Sequence, residues 1–215
     1  VRPVDGRPRC EDAGVIPPFA PVALPRSEGP ALLLRPATAA DAPAFAAHVA
    51  RDLEHLAEHL GWPATSTTPE GAAAFVDAYL RRDDGRELML LLEDGDAVVG
   101  GTVLLHHDPR VGAIEVGCWI VTGYEGQGLV RRAVLATVAH ARTALGSHRV
   151  VWTAAAGNVR SRALAERLGF RHEGRLRGAG LHRDERQDLD VLSLVGDEID
   201  RALGTVDPRL SASGS

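Results

Sequence analysis

Lysine is missing altogether: all 24 basic residues of this 215-residue chain are arginine. Against average usage, and beside the many Ala and Gly, this reads as the imprint of a GC-rich genome and not of a function. Cysteine is nearly absent. Cys10 lies in a Pro-rich start and Cys118 in an apolar run, so neither a disulfide framework nor a metal site is supported, and a reducing cytoplasm is the expected compartment. No uninterrupted apolar run approaches the length of a membrane span, and Val1 to Pro8 lacks the apolar core of a secretory signal, so no membrane partner is expected. The net charge is −5 and no dense basic cluster occurs, which argues against a nucleic-acid partner. The Gly-Lys-Ser/Thr of a P-loop is absent too, and no internal repeat is present.

What remains is an ordinary globular composition, 45% hydrophobic and 25% charged, in a chain long enough to bury one sizeable core. Residues 1–30 carry Pro3, Pro8, Pro17, Pro18, Pro21, Pro25 and Pro30 and read as an extended arm outside the core. Residues 31–204 read as one domain and 205–215 as a loose tail.

Within the domain, Ala31 to Arg35 is a short strand. Asp41 is placed to cap a helix bearing Phe45, Val49, Leu53, Leu56 and Leu60 on one face, ended by Gly61, Trp62 and Pro63. Thr68 followed by Pro69 starts a second helix carrying Ala72, Phe75, Val76, Tyr79 and Leu80. Glu87 to Glu93, Ala97 to His107 and Ala113 to Val121 are strands of an antiparallel meander, the first two joined by Asp94-Gly95-Asp96. Leu129 to Leu145 is helical, Arg149 to Ala155 a strand, Val159 to Leu168 a helix, and Gly169 to Arg177 and Arg186 to Val195 close the chain as two strands. The order βααβββαβαββ predicts an α/β fold with a mixed, mostly antiparallel sheet flanked by helices.

Two segments carry candidate chemistry. In Trp119 to Arg132 a strand enters a loop with Gly126 and Gly128, and the loop opens a helix. Such a helix start presents unpaired N–H groups and partial positive charge, and glycine admits an anion close to the backbone. The plain alternative is a strand-to-helix turn that uses glycine for geometry; the dinucleotide fingerprint fails because no third Gly follows at its spacing. In the second segment Asn158, with Ser161 three residues on, sits where a strand ends and a helix begins, and its plain role is helix capping.

Taken together, Gly126-Gln127-Gly128, Asn158-x-x-Ser161 and Leu168-Gly169-Phe170 resemble the GNAT superfamily of acyl-CoA-dependent N-acyltransferases. Ile114 to Ile120 and the late strand Asp188 to Leu194 resemble its RimJ/RimL-type branch, and the similarity covers Leu32 to Leu203. The resemblance implies acetyl-CoA as acyl donor, without a metal. It also implies a pantetheine arm lying between two parted parallel strands, Val116 to Val121 and Arg149 to Ala155, against backbone groups of Trp119, Ile120 and Val121. The diphosphate is implied at Gly126, Gln127, Gly128, Leu129, Val130 and Arg131, and pantetheine contact at Asn158. Ser161 matches a position proposed in that branch to protonate the departing thiolate. Other branches use a Tyr on the last strands, where this chain has Val191-Leu192-Ser193-Leu194. Two departures stand out: Glu125 where the family has Gln or Arg, and Val130 where it has a small residue. Glu125 implies weakened cofactor binding, which Arg131 and Arg132 are placed to offset.

For the base the candidate is Glu115, at the sheet's centre, with a buried hydrogen-bonded carboxylate as the alternative. His106 and His107 adjoin the site on the preceding strand; successive residues face opposite sides, so at most one points inward, and a surface or core histidine is the plainer reading of both, with His106 the substrate-binding candidate. His55 and His59 share a helix face but have no third ligand, and read as lining or surface residues. The resemblance implies transfer to a protein N-terminal α-amine. Small-molecule amines, a succinyl donor and a catalytically silent acyl-CoA-binding protein are the alternatives. Homodimers are common in the family.

Overall fold

The computed structural model describes residues 18–26, 29–81, 86–94 and 96–204. Cys10, most of the Pro-rich arm, Gly95 of the expected turn and the 205–215 tail lie outside the described residues. One eight-stranded sheet runs through the molecule in the order β1-β2-β3-β4-β5-β6-β8-β7. Its strands are β1 (Val22–Leu24), β2 (Leu32–Pro36), β3 (Glu87–Glu93), β4 (Ala97–Asp108), β5 (Ala113–Ile120), β6 (Arg149–Ala155), β7 (Arg171–His182) and β8 (Glu185–Val195). Every neighbouring pair is antiparallel except β5 and β6.

Helices α1 (Ala42–Arg51), α2 (Leu53–Leu56), α3 (Pro69–Leu80), α4 (Leu129–Thr143), α5 (Val159–Arg167) and α6 (Asp197–Gly204) complete the fold. On one face Phe45, Val49 and Val76 of α1 and α3 pack on Leu88, Leu90, Leu92 and Trp119; on the other, Leu129, Val134 and Val138 of α4 pack on Met89, Leu91, Ile114 and Val116. β3 is therefore covered on both sides, which is why it reads as an unbroken apolar run.

Several local expectations change. The arm is partly core: Phe19 and Leu24 are buried, and Val22–Leu24 adds an edge strand to β2, because two apolar side chains between prolines suffice to bury an edge. The helix expected through Leu60 breaks at Asp52, whose φ of −125° leaves the α region. Asp41 makes no side-chain cap to α1; its carboxylate accepts instead from the N–H and hydroxyl of Thr38, at 2.7 and 2.9 Å. Finally, α6 follows Gly196, burying Ile199 and Ala202. Thr68 caps α3 as expected, accepting from the Gly71 N–H at 3.2 Å with Pro69 in the first turn.

β7 runs to His182, longer than expected, because irregular pairing between Leu176 and Gly180 lets the ladder with β8 resume. Buried Asp190 of β8 binds Arg175 of β7 at 2.8 Å and Arg162 of α5 at 3.3 Å, which ties α5 to the sheet; the Arg175 guanidinium holds its carboxyl well below the usual carboxylate range.

Candidate active site

The parallel ladder between β5 and β6 is only three pairs long: Ala113 with Arg149, Ile114 with Val150, and Glu115 with Val151. Beyond that, Val116 to Ile120 pairs only with β4, and Trp152 to Ala155 only with β8. The two strands part into a wedge whose vertex is Glu115 and Val151. Unpaired peptide groups in such a gap need a partner, and an extended amide-bearing ligand supplies one in the manner of an added strand.

The β4 ladder decides which peptide groups face the gap. Val121 donates its N–H to the Val99 carbonyl at 3.0 Å, and its own carbonyl accepts from Tyr124 at 3.1 Å. Peptide direction alternates along a strand, so Trp119 also addresses β4, while Ile120, Cys118 and Val116 address the gap. Of the three backbone candidates, Ile120 is thus turned to the gap and Trp119 and Val121 are not. The Trp119 side chain is core: its indole N–H donates to His48 Nε2 at 3.0 Å, and His48 shares its other ring nitrogen with the Val98 carbonyl at 2.8 Å. Burial pushes the pKa of His48 down to about 4, so the ring is neutral and its Nδ1–H donates to Val98.

At the mouth of the wedge, the turn Thr122–Tyr124 leads into Gly126 and Gly128, with φ of +75° and +71°. At Gly126 an added Cβ meets nothing within 4 Å, so conformation and not space requires the glycine. Gly128 is the N-cap of α4 and has no side chain to give. No N-cap side chain therefore covers the amides of Leu129 and Val130, at the positive end of a 15-residue helix. Asp52, where α1 breaks, accepts from the Thr122 N–H at 2.9 Å and from its hydroxyl at 3.1 Å. Tyr124 donates to Glu93, which also pairs with Arg26, and the Arg26 guanidinium lies 5.2 Å from the Tyr124 ring centre. The loop is buttressed from both α1 and the N-terminal arm.

Glu125 is turned across the mouth, 2.5 Å from Arg160 of α5 and 3.4 Å from His55 of α2. Its charge is answered from α5, and not from Arg132, which donates to the Pro25 carbonyl at 2.5 Å. Gln127 reaches back to the Gly123 carbonyl at 3.4 Å. On the far side of the wedge, Asn158 caps α5, its Oδ1 accepting from the Ser161 N–H at 3.0 Å. Ser161 Oγ accepts from the Trp152 indole N–H, also at 3.0 Å.

Glu115 is half-buried at the vertex. Its neighbours Ile114 and Val116 enter the core beneath α4, so Glu115 is turned to the α1/α3 side, the side of Trp119. His106 is exposed in a bulge of β4 with φ +52°, just past Leu105, the β4 partner of Glu115. His107 is half-buried, and burial lowers its pKa. His55 and His59 diverge, His55 to Glu125 and His59 to Glu58, and no metal-holding cluster occurs among the described residues. Sequence reasoning missed Asp52, Arg160, Glu93 and Trp152. Each acts through a partner distant in sequence or across a turn; the break in helical order at Asp52 left no trace, because Leu53 and Leu56 continue the apolar spacing.

The family described as an acetyltransferase (GNAT) domain matches residues 31–171. The chain belongs to this family. It is 37% identical over 99 residues to YdaF of Bacillus subtilis (strain 168), whose name gives it provisionally as a ribosomal N-acetyltransferase; that match spans 44% of this chain and 53% of the relative, about half its length. It is 24% identical over 143 residues to the ribosomal-protein-serine acetyltransferase of Escherichia coli (strain K12), spanning 66% of this chain and 80% of that protein. The structure of RimL, a ribosomal L7/L12 alpha-N-protein acetyltransferase in complex with coenzyme A, superposes with a TM-score of 0.73 at 22% identity, covering 82% of this chain and 99% of that one. The last likeness is one of fold. No helix among the described residues is long and apolar enough to cross a membrane.

Proposed function

We propose that this GNAT chain transfers the acetyl group of acetyl-CoA to a protein N-terminal α-amine by direct attack. The observation that carries the reading is the wedge beyond Glu115 and Val151, with the uncapped start of α4 at its mouth. The gap suits an amide-bearing arm, and the α4 amides suit a diphosphate. The names of the Bacillus and Escherichia relatives favour a ribosomal acceptor, and the description of RimL as an alpha-N-protein acetyltransferase favours its N-terminal amine.

The chemistry follows from the groups at hand. The amine nitrogen attacks the thioester carbonyl, the N–C bond forms, and the C–S bond breaks with its electron pair left on sulfur. Glu115 takes the amine proton, directly or through one water, and Ser161 gives its hydroxyl proton to the thiolate. A backbone N–H on the gap-facing edge of β5 polarises the carbonyl oxygen. An α-amine, with a pKa of about 7.7–8.0, is already partly neutral near pH 7, whereas a lysine amine near 10.4 costs about 3 kcal/mol more to deprotonate. The test is thiol release from acetyl-CoA with a panel of peptides bearing free or blocked N-termini, lysine-only peptides and small amines. Turnover confined to free N-termini supports the reading. Preference for small amines overturns the acceptor, and coenzyme A binding without turnover on any amine overturns the reaction.

A further inference from the structure

Trp152 is the first residue of β6 beyond the last parallel pair, so its backbone stands at the vertex of the wedge. Its side chain is buried on the α5 side, edge-on to Phe170 with ring centres 5.5 Å apart. The indole nitrogen is a donor only. In its 3.0 Å contact with Ser161 the serine oxygen therefore accepts, and the hydroxyl hydrogen is turned elsewhere. Among the described residues that hydroxyl makes no second hydrogen bond, and the Ser161 backbone is held by Asn158. A serine in a helix's first turn ordinarily gives its hydrogen to nearby backbone; here the rotamer is taken by the indole and the hydrogen is left to donate. An N–H directed at the oxygen also favours the form that has lost its proton.

We infer that Trp152 is a positioning residue for the acyl-transfer step: from the β6 residue next to the wedge vertex its indole holds the Ser161 hydroxyl, with its proton free for the departing sulfur. This rests on the reading of Ser161 as the acid. As the C–S bond breaks, the electron pair goes to sulfur, the Ser161 proton follows it, and the serine oxygen, stabilised by the indole N–H, regains a proton from solvent. A buried indole N–H needs an acceptor; here that acceptor is the Ser161 hydroxyl, and this couples Trp152 to the acid.

The experiment is a double-mutant cycle on the full chain with Trp152→Phe, Ser161→Ala and both, read as kcat at saturating acetyl-CoA and peptide and as KM for acetyl-CoA. Trp152→Phe is expected to lower kcat about tenfold, a fraction of the 10²–10⁴-fold worth of general acid–base catalysis, with KM within about twofold. In the Ser161→Ala background the same change is expected to do nothing further to kcat. An equal loss in both backgrounds overturns the inference and leaves Trp152 as packing. Unchanged kcat in Ser161→Ala alone overturns the acid reading instead, and the two failures are thereby told apart. Should Trp152→Phe not fold, ¹⁵N spectra of the three tryptophan indoles decide. The resonance displaced by Ser161→Ala is expected to shift on coenzyme A addition in the wild type only. No displacement of any indole resonance by Ser161→Ala overturns the inference.

Discussion

Glu125 and Arg160 meet at 2.5 Å across the mouth of the wedge, one from the glycine loop before α4 and the other from the first turn of α5. If the loop seats a diphosphate as proposed, a carboxylate beside it is tolerable because this guanidinium answers it. Glu125→Gln removes the like charge and frees Arg160, so coenzyme A binding is expected to tighten about two- to fivefold, the scale of a partly exposed charge interaction. Arg160→Ala is expected to weaken it by a similar factor. Both effects should shrink as salt is raised, which calorimetry at two ionic strengths will read.

Asp52 holds the loop from the other side through the N–H and hydroxyl of Thr122. Asp52→Ala is expected to raise the KM for acetyl-CoA about tenfold, roughly the worth of one hydrogen bond to a charged group, while kcat changes little. Steady-state kinetics with the acceptor saturating will check the split.

Glu115→Gln keeps the shape of the vertex and removes its basicity. Turnover is expected to fall about 10²-fold or more, and the acidic limb of the kcat–pH profile to flatten. Unchanged kinetics remove Glu115 from the reaction.

His48 predicts an acid sensitivity of the fold. Its pKa is pushed down to about 4 by burial, against about 6.5 in the unfolded chain. Between those values the unfolded state binds more protons, so stability rises with pH, is complete above about 6.5, and is lost as pH falls toward 4. The loss is on the order of 3 kcal/mol. Urea midpoints from pH 4.5 to 7.5 should show a slope that His48→Gln reduces.

Phe19 and Arg26 make the arm part of the molecule. A chain beginning at Gly29 loses both, together with the contact from Arg132 to Pro25. Phe19→Ala alone is expected to cost about 3 kcal/mol, a typical figure for a buried aromatic. Thermal melts and the KM for acetyl-CoA will separate the loss of packing from the loss of the loop's support.

The meander, the strand after α4 and the capped starts of α3 and α5 were legible because each rests on neighbours: apolar runs, turn residues, a cap three positions away; that this strand runs parallel to β5 followed only from the family resemblance. Gly126, Gly128, Asn158 and Ser161 were legible as a pattern for the same reason. The rest depends on tertiary partners. Nothing local says that Asp52 leaves the helix to take Thr122, that Glu125 finds Arg160, or that Phe19 and Leu24 reach the sheet. The direction of the Val121 peptide follows from the register with β4, which no single segment contains. The turn of Glu115 toward α1 and α3 was open for the same reason: strand alternation gives two sides but does not name them. By contrast α6 carries local signals, with Gly196 before it, acidic residues in its first turn and Ile199 spaced from Ala202.

The three-pair ladder at the base of the wedge has a thermodynamic consequence for the whole chain. Among the described residues, β1 through β5 join β6, β8 and β7 in the sheet through that short ladder, extended by the His148 N–H bond to the Gly112 carbonyl, with helices laid over the seam. A ligand bridging the seam completes the hydrogen bonding of both half-sheets and, by mass action, adds about 2.7 kcal/mol of stability at a hundredfold excess over its dissociation constant. Amide protons of Cys118, Ile120 and the facing edge of β6 are where slowed exchange should register that union first.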